Sequence, residues 1–159
     1  MTRYFEQFFN GDPMVEIDEA RARQRGSYAE EIDASVRLFR CVSAGKLDRL
    51  VYAGWTDPAE PLADARRRNE GARIEVYSPV EGTAEGGQRW RVWHADAAGN
   101  VHKILEPEFG ADGRYLRESY RGPDGELRTY REYVYDRYDE LLEVVTHAPD
   151  GTILNREHN

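Results

Sequence analysis

From Ala29 onward the chain alternates with a period of two. Ile32, Ala34, Val36, Leu38 and Val42 stand against Glu31, Asp33, Ser35 and Arg37, the pattern of a strand wet on one face. Ser43-Ala44-Gly45-Lys46 predicts a turn and Leu47 to Tyr52 a return strand, so the first unit read this way is a hairpin. Ahead of it, Phe5, Phe8 and Phe9 recur at i, i+3 and i+4, which predicts a short helix with one aromatic face, stopped by Asn10-Gly11-Asp12-Pro13. Glu16 to Arg25 tolerates a further helix that Gly26-Ser27 would close.

A helix near 57–70 is predicted more firmly by its ends. Thr56 or Asp57 can cap free amides, Pro58 suits a first turn, Leu62, Ala63 and Ala65 follow, and Gly71 stops the segment. Arg66-Arg67-Arg68 then complement the negative helix end and read as solvated surface. Beyond Ala72 the pattern predicts strands: Arg73 to Val80, Arg89 to Ala95, Val101 to Glu106, Arg114 to Arg121, Glu126 to Tyr135, Leu141 to His147 and Thr152 to Arg156.

Four turns between them share one chemistry: Ala97-Ala98-Gly99-Asn100, Ala111-Asp112-Gly113-Arg114, Pro123-Asp124-Gly125-Glu126 and Pro149-Asp150-Gly151-Thr152. Pro presets the first corner, Asp accepts local amide bonds, and Gly takes the left-handed conformation. Four-residue loops at 122–125 and 148–151 would set Arg121 opposite Glu126, Tyr120 opposite Leu127, Arg117 opposite Tyr130, Glu143 opposite Arg156 and Val145 opposite Leu154. The expected fold is α+β: a large twisted antiparallel β-meander sheet with one or two short helices packed on one face. It is read as a single domain over 1–159, with a helical or irregular segment at 1–28 and a β-rich body at 29–159.

The segment Tyr138-Asp139-Glu140-Leu141-Leu142-Glu143-Val144-Val145-Thr146-His147-Ala148-Pro149-Asp150-Gly151-Thr152 resembles a YD repeat of RHS-type proteins, in which Tyr-Asp begins a strand and Pro-Asp-Gly reverses it. A weaker copy runs from Phe109-Gly110 through Pro123-Asp124-Gly125 to Tyr135-Asp136. Together they cover about the last third of the chain. The Gly-Arg-Leu that usually follows Tyr-Asp is missing, and two copies cannot build the shell that RHS proteins make from many. The resemblance implies β-hairpins and a polymorphic-toxin context.

Composition bounds the rest. Leu, Ile, Val and Phe supply 31 of 159 residues and the net charge is −8, near the composition of chains that fail to fold, but ten Tyr and three Trp can each bury a ring and keep a polar edge wet. No apolar run approaches the roughly 20 residues of a membrane span. Glu6 and Gln7 sit where a secretory signal would be apolar, so a cytoplasmic location is expected. Acidity disfavours nucleic acid and anionic membranes.

No nucleophile elbow, phosphate loop or zinc-helix motif occurs. Cys41, the lone cysteine, is flanked by apolar residues and reads as packing. His94, Asp96 and His102, with Glu106, would share one sheet face if their hairpin loop has three residues, which makes them an alternative metal site. Trp55, Trp90, Trp93, Tyr115, Tyr130 and Tyr133 are the candidate binding residues, because Tyr, Trp and Arg dominate protein interfaces. The expected function is a non-enzymatic protein-binding module, of the immunity or antitoxin kind, that engages a basic partner and needs no cofactor. The alternative is a small-ligand carrier or metal-dependent enzyme with an aromatic-lined pocket. A third reading is a purely structural or self-assembling sheet, and a homo-oligomer is compatible with each.

Overall fold

The computed structural model describes residues 1–9 and 12–159; Asn10 and Gly11, in the predicted N-terminal stop, lie outside the described residues. In chain order the elements are β1 (Arg3–Phe9), β2 (Asp12–Ile17), α1 (Glu19–Arg25), β3 (Tyr28–Asp33), β4 (Leu38–Ser43), β5 (Lys46–Ala53), α2 (Ala59–Arg68), β6 (Arg73–Tyr77), β7 (Glu81–Gly82), β8 (Gln88–Arg89), β9 (Val92–Ala95), β10 (Val101–Phe109), β11 (Tyr115–Arg121), β12 (Leu127–Tyr135), β13 (Leu141–His147) and β14 (Ile153–His158). The class is α+β, with a large, mostly antiparallel sheet and, among the described residues, two short helices. Residues Met1–Pro79 with Trp93–Val101 form one compact unit, and Val80–Val92 with His102–Asn159 a second.

In the first unit the strand order is β9-β6-β5-β4-β3-β1-β2. β1 pairs antiparallel with β2 and β3, β3 with β4 and β4 with β5, whereas β5 and β6 run parallel because α2 carries the chain across between them. Alternation puts Leu38, Tyr52, Tyr28 and Val42 on one face, since Leu38 opposes Tyr52 and Tyr28 opposes Val42. Both helices lie on that face. Ala22 of α1 packs among Tyr4, Tyr28, Ile17 and Val42, and α2 is tied down by the Tyr52 hydroxyl, which donates to Asp64 at 2.8 Å. The other face gathers Phe5, Phe8, Ala29, Phe39, Cys41, Val51, Ala53 and Tyr77.

α1 is too short to persist alone. Asp18 accepts from the Arg21 amide at 2.8 Å, Gly26 ends the helix at φ 70°, and Ala22 is fully buried. α2 begins after Asp57, whose carboxylate accepts from the Ala59 amide at 2.7 Å, and ends at left-handed Asn69, two residues before the expected glycine. Its arginines are engaged. Arg66 donates to the carbonyls of Ala98 and Gly99, and Arg67 and Arg68 both hold Asp64, so solvated surface describes them incompletely.

Two expectations are corrected here. The Phe5/Phe8/Phe9 segment is a strand, hydrogen-bonded to β2 and β3. Tyr4 is buried in the helix-side cluster and Phe5 in the opposite one, so both faces are covered and the alternation that marks a strand is absent. The single long strand from Ala29 is two strands. Asp33 accepts from the Ser35 amide and hydroxyl, and Arg37 adopts φ 48°, which turns the chain at 34–37.

The second unit contains no helix among its described residues. Its strand order is β14-β13-β12-β11-β10, with β8 also paired to β10 and carrying β7.

Candidate binding surface

The second unit's surface is set by its turns. At 110–114, 122–126, 136–140 and 148–152 the first residue accepts from the amide of the fourth and donates its own amide to the carbonyl of the fifth, which closes a three-residue loop. The turn at 96–100 in the first unit has the same bonds. The fifth residue's amide is met by a carboxylate each time. Asp112, Asp124 and Asp150 serve it from the loop centre, whereas Asp96 and Asp136 serve it from the loop head. The fourth residue is glycine with φ between 81° and 89° in four of the five turns, and Asp139 with φ 69° in the other.

This geometry corrects the expected register. A three-residue loop and a bulge beside it each move the pairing by one position. Arg117 therefore opposes Glu132 rather than Tyr130, Tyr120 opposes Thr129, and Arg121 opposes Leu127. Glu143 opposes His158 and Val145 opposes Arg156. Two steps preserve the face, so the expected partners meet diagonally. The Arg117 guanidinium lies 3.9 Å from the Tyr130 ring centroid, and Arg156 reaches Glu143 at 2.9 Å.

One face carries an aromatic ladder. Trp90 stacks on Phe109 at 5.3 Å and 10°, Phe109 meets Tyr115 at 4.7 Å, and Tyr115 meets Tyr133 at 4.5 Å. Trp90 is buried and the other three rings are half-buried. Burial, followed by a 2.6 Å bond to Glu118, pushes the Tyr115 hydroxyl far above the ordinary phenol range, and burial raises Tyr133 too. These phenols stay protonated at any physiological pH, so each can donate one hydrogen bond and still accept.

Tyr130 lies three residues before Tyr133 on the same strand and so faces the other way. There it stacks on His147 at 4.6 Å and 9°, and His147 Nε2 is 2.9 Å from Glu132. Glu106 holds Arg121 and lies 3.3 Å from Arg91. Trp55 and Trp93 belong to the first unit, where Trp93 is buried and the Trp55 indole donates to the Val36 carbonyl at 3.1 Å. Of the six candidate binding residues, Trp90, Tyr115 and Tyr133 form a single surface.

The alternative metal constellation does not assemble: among the described residues no group of three or more His, Cys, Asp or Glu side chains is placed to hold a metal ion. Asp96 is spent on the amides of Ala98 and Asn100, and Glu106 on its two arginines. His94 Nδ1 instead lies 3.7 Å from Glu75.

Glu75 is the feature hydropathy missed. It is the buried charged residue among those described, 6 % exposed, with Arg49 Nε at 3.1 Å and the Tyr77 hydroxyl donating at 3.0 Å. Alternation reads Glu75 and Tyr77 as facing water. An interior face written with charged residues gives no apolar signal, and only the Arg49/Glu75 complementarity across adjacent strands could have shown it. Beside them burial pushes the Cys41 thiol up to about 11.

Among the described residues no helix is long and apolar enough to cross a membrane. No protein-family model, curated protein or solved structure matches the chain.

Proposed function

We propose that the chain is a non-enzymatic protein-binding module whose contact surface is the second unit's aromatic face, and whose partner is basic. The Trp90–Phe109–Tyr115–Tyr133 ladder carries this reading, because Tyr115 and Tyr133, half-buried beside Phe109 on a sheet that holds no helix in its own unit among the described residues, offer large rings with polar edges, the kind of side chain that dominates protein interfaces. The net charge of −8 and the carboxylates at the five turns described above favour a cationic partner and fast, salt-sensitive association. The YD-like turns are consistent with an inhibitor of the immunity or antitoxin kind.

Co-expression with the products of the two adjacent genes tests it. Co-elution with one of them, weakened at least tenfold by Tyr115→Ala with Tyr133→Ala and by added salt, is the expected result. No complex with either product, or a complex indifferent to both substitutions in a protein of unchanged circular dichroism, overturns the proposal.

A further inference from the structure

A small cleft opens in the first unit where the chain leaves β5 and enters α2. Its walls are Val36, Tyr52, Trp55, Glu60, Pro61, Asp64 and Arg67, and it encloses about 60 Å³. The volume suits one small polar group rather than a cofactor or a whole substrate.

The wall is electrically lopsided. Asp64 is saturated: it takes bonds from Tyr52, Arg67 and Arg68 at 2.7–3.1 Å, and these hold its carboxyl below the ordinary range against the opposing effect of burial. The Arg67 charge is spent on it. Glu60, one helical turn earlier on the same side of α2, enters no ion pair or side-chain hydrogen bond among the described residues and is exposed. Trp55 lines the same cleft, and its indole N–H is committed to the Val36 carbonyl at 3.1 Å, which fixes the ring and leaves its carbon surface to meet a ligand. A fixed indole beside an unpaired carboxylate is the pairing that recognises an ammonium ion, through cation–π attraction and a charge-assisted hydrogen bond.

We infer that this cleft is a subsite for the ammonium end of a lysine side chain presented by the partner. The inference rests on the reading of the chain as a binder of basic protein. It adds a second, chemically specific contact: Trp55 and Glu60 take the ammonium, and Val36 covers the last methylenes.

The test titrates Nα-acetyl-lysine methylamide into the whole protein at low salt, following Trp55 fluorescence. Trp90 and Trp93 are buried and supply a constant background that Trp55→Phe isolates. A saturable change with a midpoint near 1 mM is expected, at least fivefold weaker in Glu60→Gln, and absent with the norleucine analogue, which has the stem without the charge. Equal response to lysine and norleucine, an unchanged midpoint in Glu60→Gln, or no saturable response overturns the inference. Glu60 is exposed, so its substitution tests the site without threatening the fold. The two readings fail separately. A partner complex that forms while the lysine probe does not bind removes the cleft alone, and probe binding with no partner complex removes the protein-binding reading alone.

Discussion

The guanidinium of Arg117 sits 3.9 Å from the centroid of the Tyr130 ring, although the backbone pairs Arg117 with Glu132. The bulge after the Pro123-Asp124-Gly125 turn creates this diagonal contact and delivers the cation to a ring whose neighbour on β13 is the His147 imidazole. A double-mutant cycle with Arg117→Ala and Tyr130→Ala is expected to return a coupling of about 0.5–1 kcal/mol in urea unfolding. Additive single effects would show that the contact contributes nothing.

The turn glycines separate conformational strain from steric overlap. Gly125 has φ 83° and nothing near its missing side chain, so Gly125→Ala is expected to cost about 1–2 kcal/mol through backbone strain alone. At Gly87 an added Cβ would overlap the Phe109 carbonyl oxygen, and the backbone must move. Gly87→Ala is expected to cost more than about 2 kcal/mol. Urea midpoints compare the two, and a smaller effect at Gly87 would refute the ordering.

Acid should loosen the turns. The Thr152 backbone amide holds the Asp150 carboxyl below its ordinary 3.8, and the Ser35 hydroxyl does the same for Asp33. A carboxyl whose folded value is depressed contributes stability that is complete above its unfolded value and is lost as pH falls through the folded one. Unfolding midpoints should therefore be flat with respect to these groups above pH 4 and fall below it. Asp150→Asn should make that fall shallower, and an unaltered acid limb would remove Asp150 from the account.

Cys41 should be inert while the protein is folded. With its thiol raised to about 11, roughly one molecule in a thousand carries a thiolate at pH 8, and the sulfur is buried as well. Alkylation by iodoacetamide is expected to be at least a hundredfold slower in the native protein than in urea. Equal rates would show that the sulfur is open to reagent.

Local chemistry was legible where it is self-contained. Asp57, Pro58 and the apolar positions after them located α2, and the Pro-Asp-Gly turns located the β11–β14 hairpins, because each of those signals acts within a few residues. Register was legible only as to face. The loop length and the bulge that together move Glu143 from Arg156 to His158 depend on how two strands meet, which neither strand's pattern contains. The turn at Asp136–Glu140 was bracketed by its two strands, but its kinship with the other turns was hidden because Asp139 holds the left-handed position that glycine holds elsewhere. β1 was misread because Tyr4 and Phe5 are buried on opposite faces, and Glu75 was misread because its burial depends on Arg49, distant in sequence. Of the candidate surface, the residue types were visible and their grouping was not. Trp90, Tyr115 and Tyr133 come together, whereas Tyr130 turns away.

The turns of the second unit recur twelve or fourteen residues apart, and each interval adds one strand about 4.8 Å wide. The unit therefore grows in width with chain length and never in thickness, like a ribbon rather than a globule. Each strand answers chiefly to its two neighbours, so its cohesion approximates a sum of adjacent terms. Loss of the outermost hairpin should narrow the ribbon and leave the inner strands standing, and a duplicated pair of turns would widen it without redesign of anything already there.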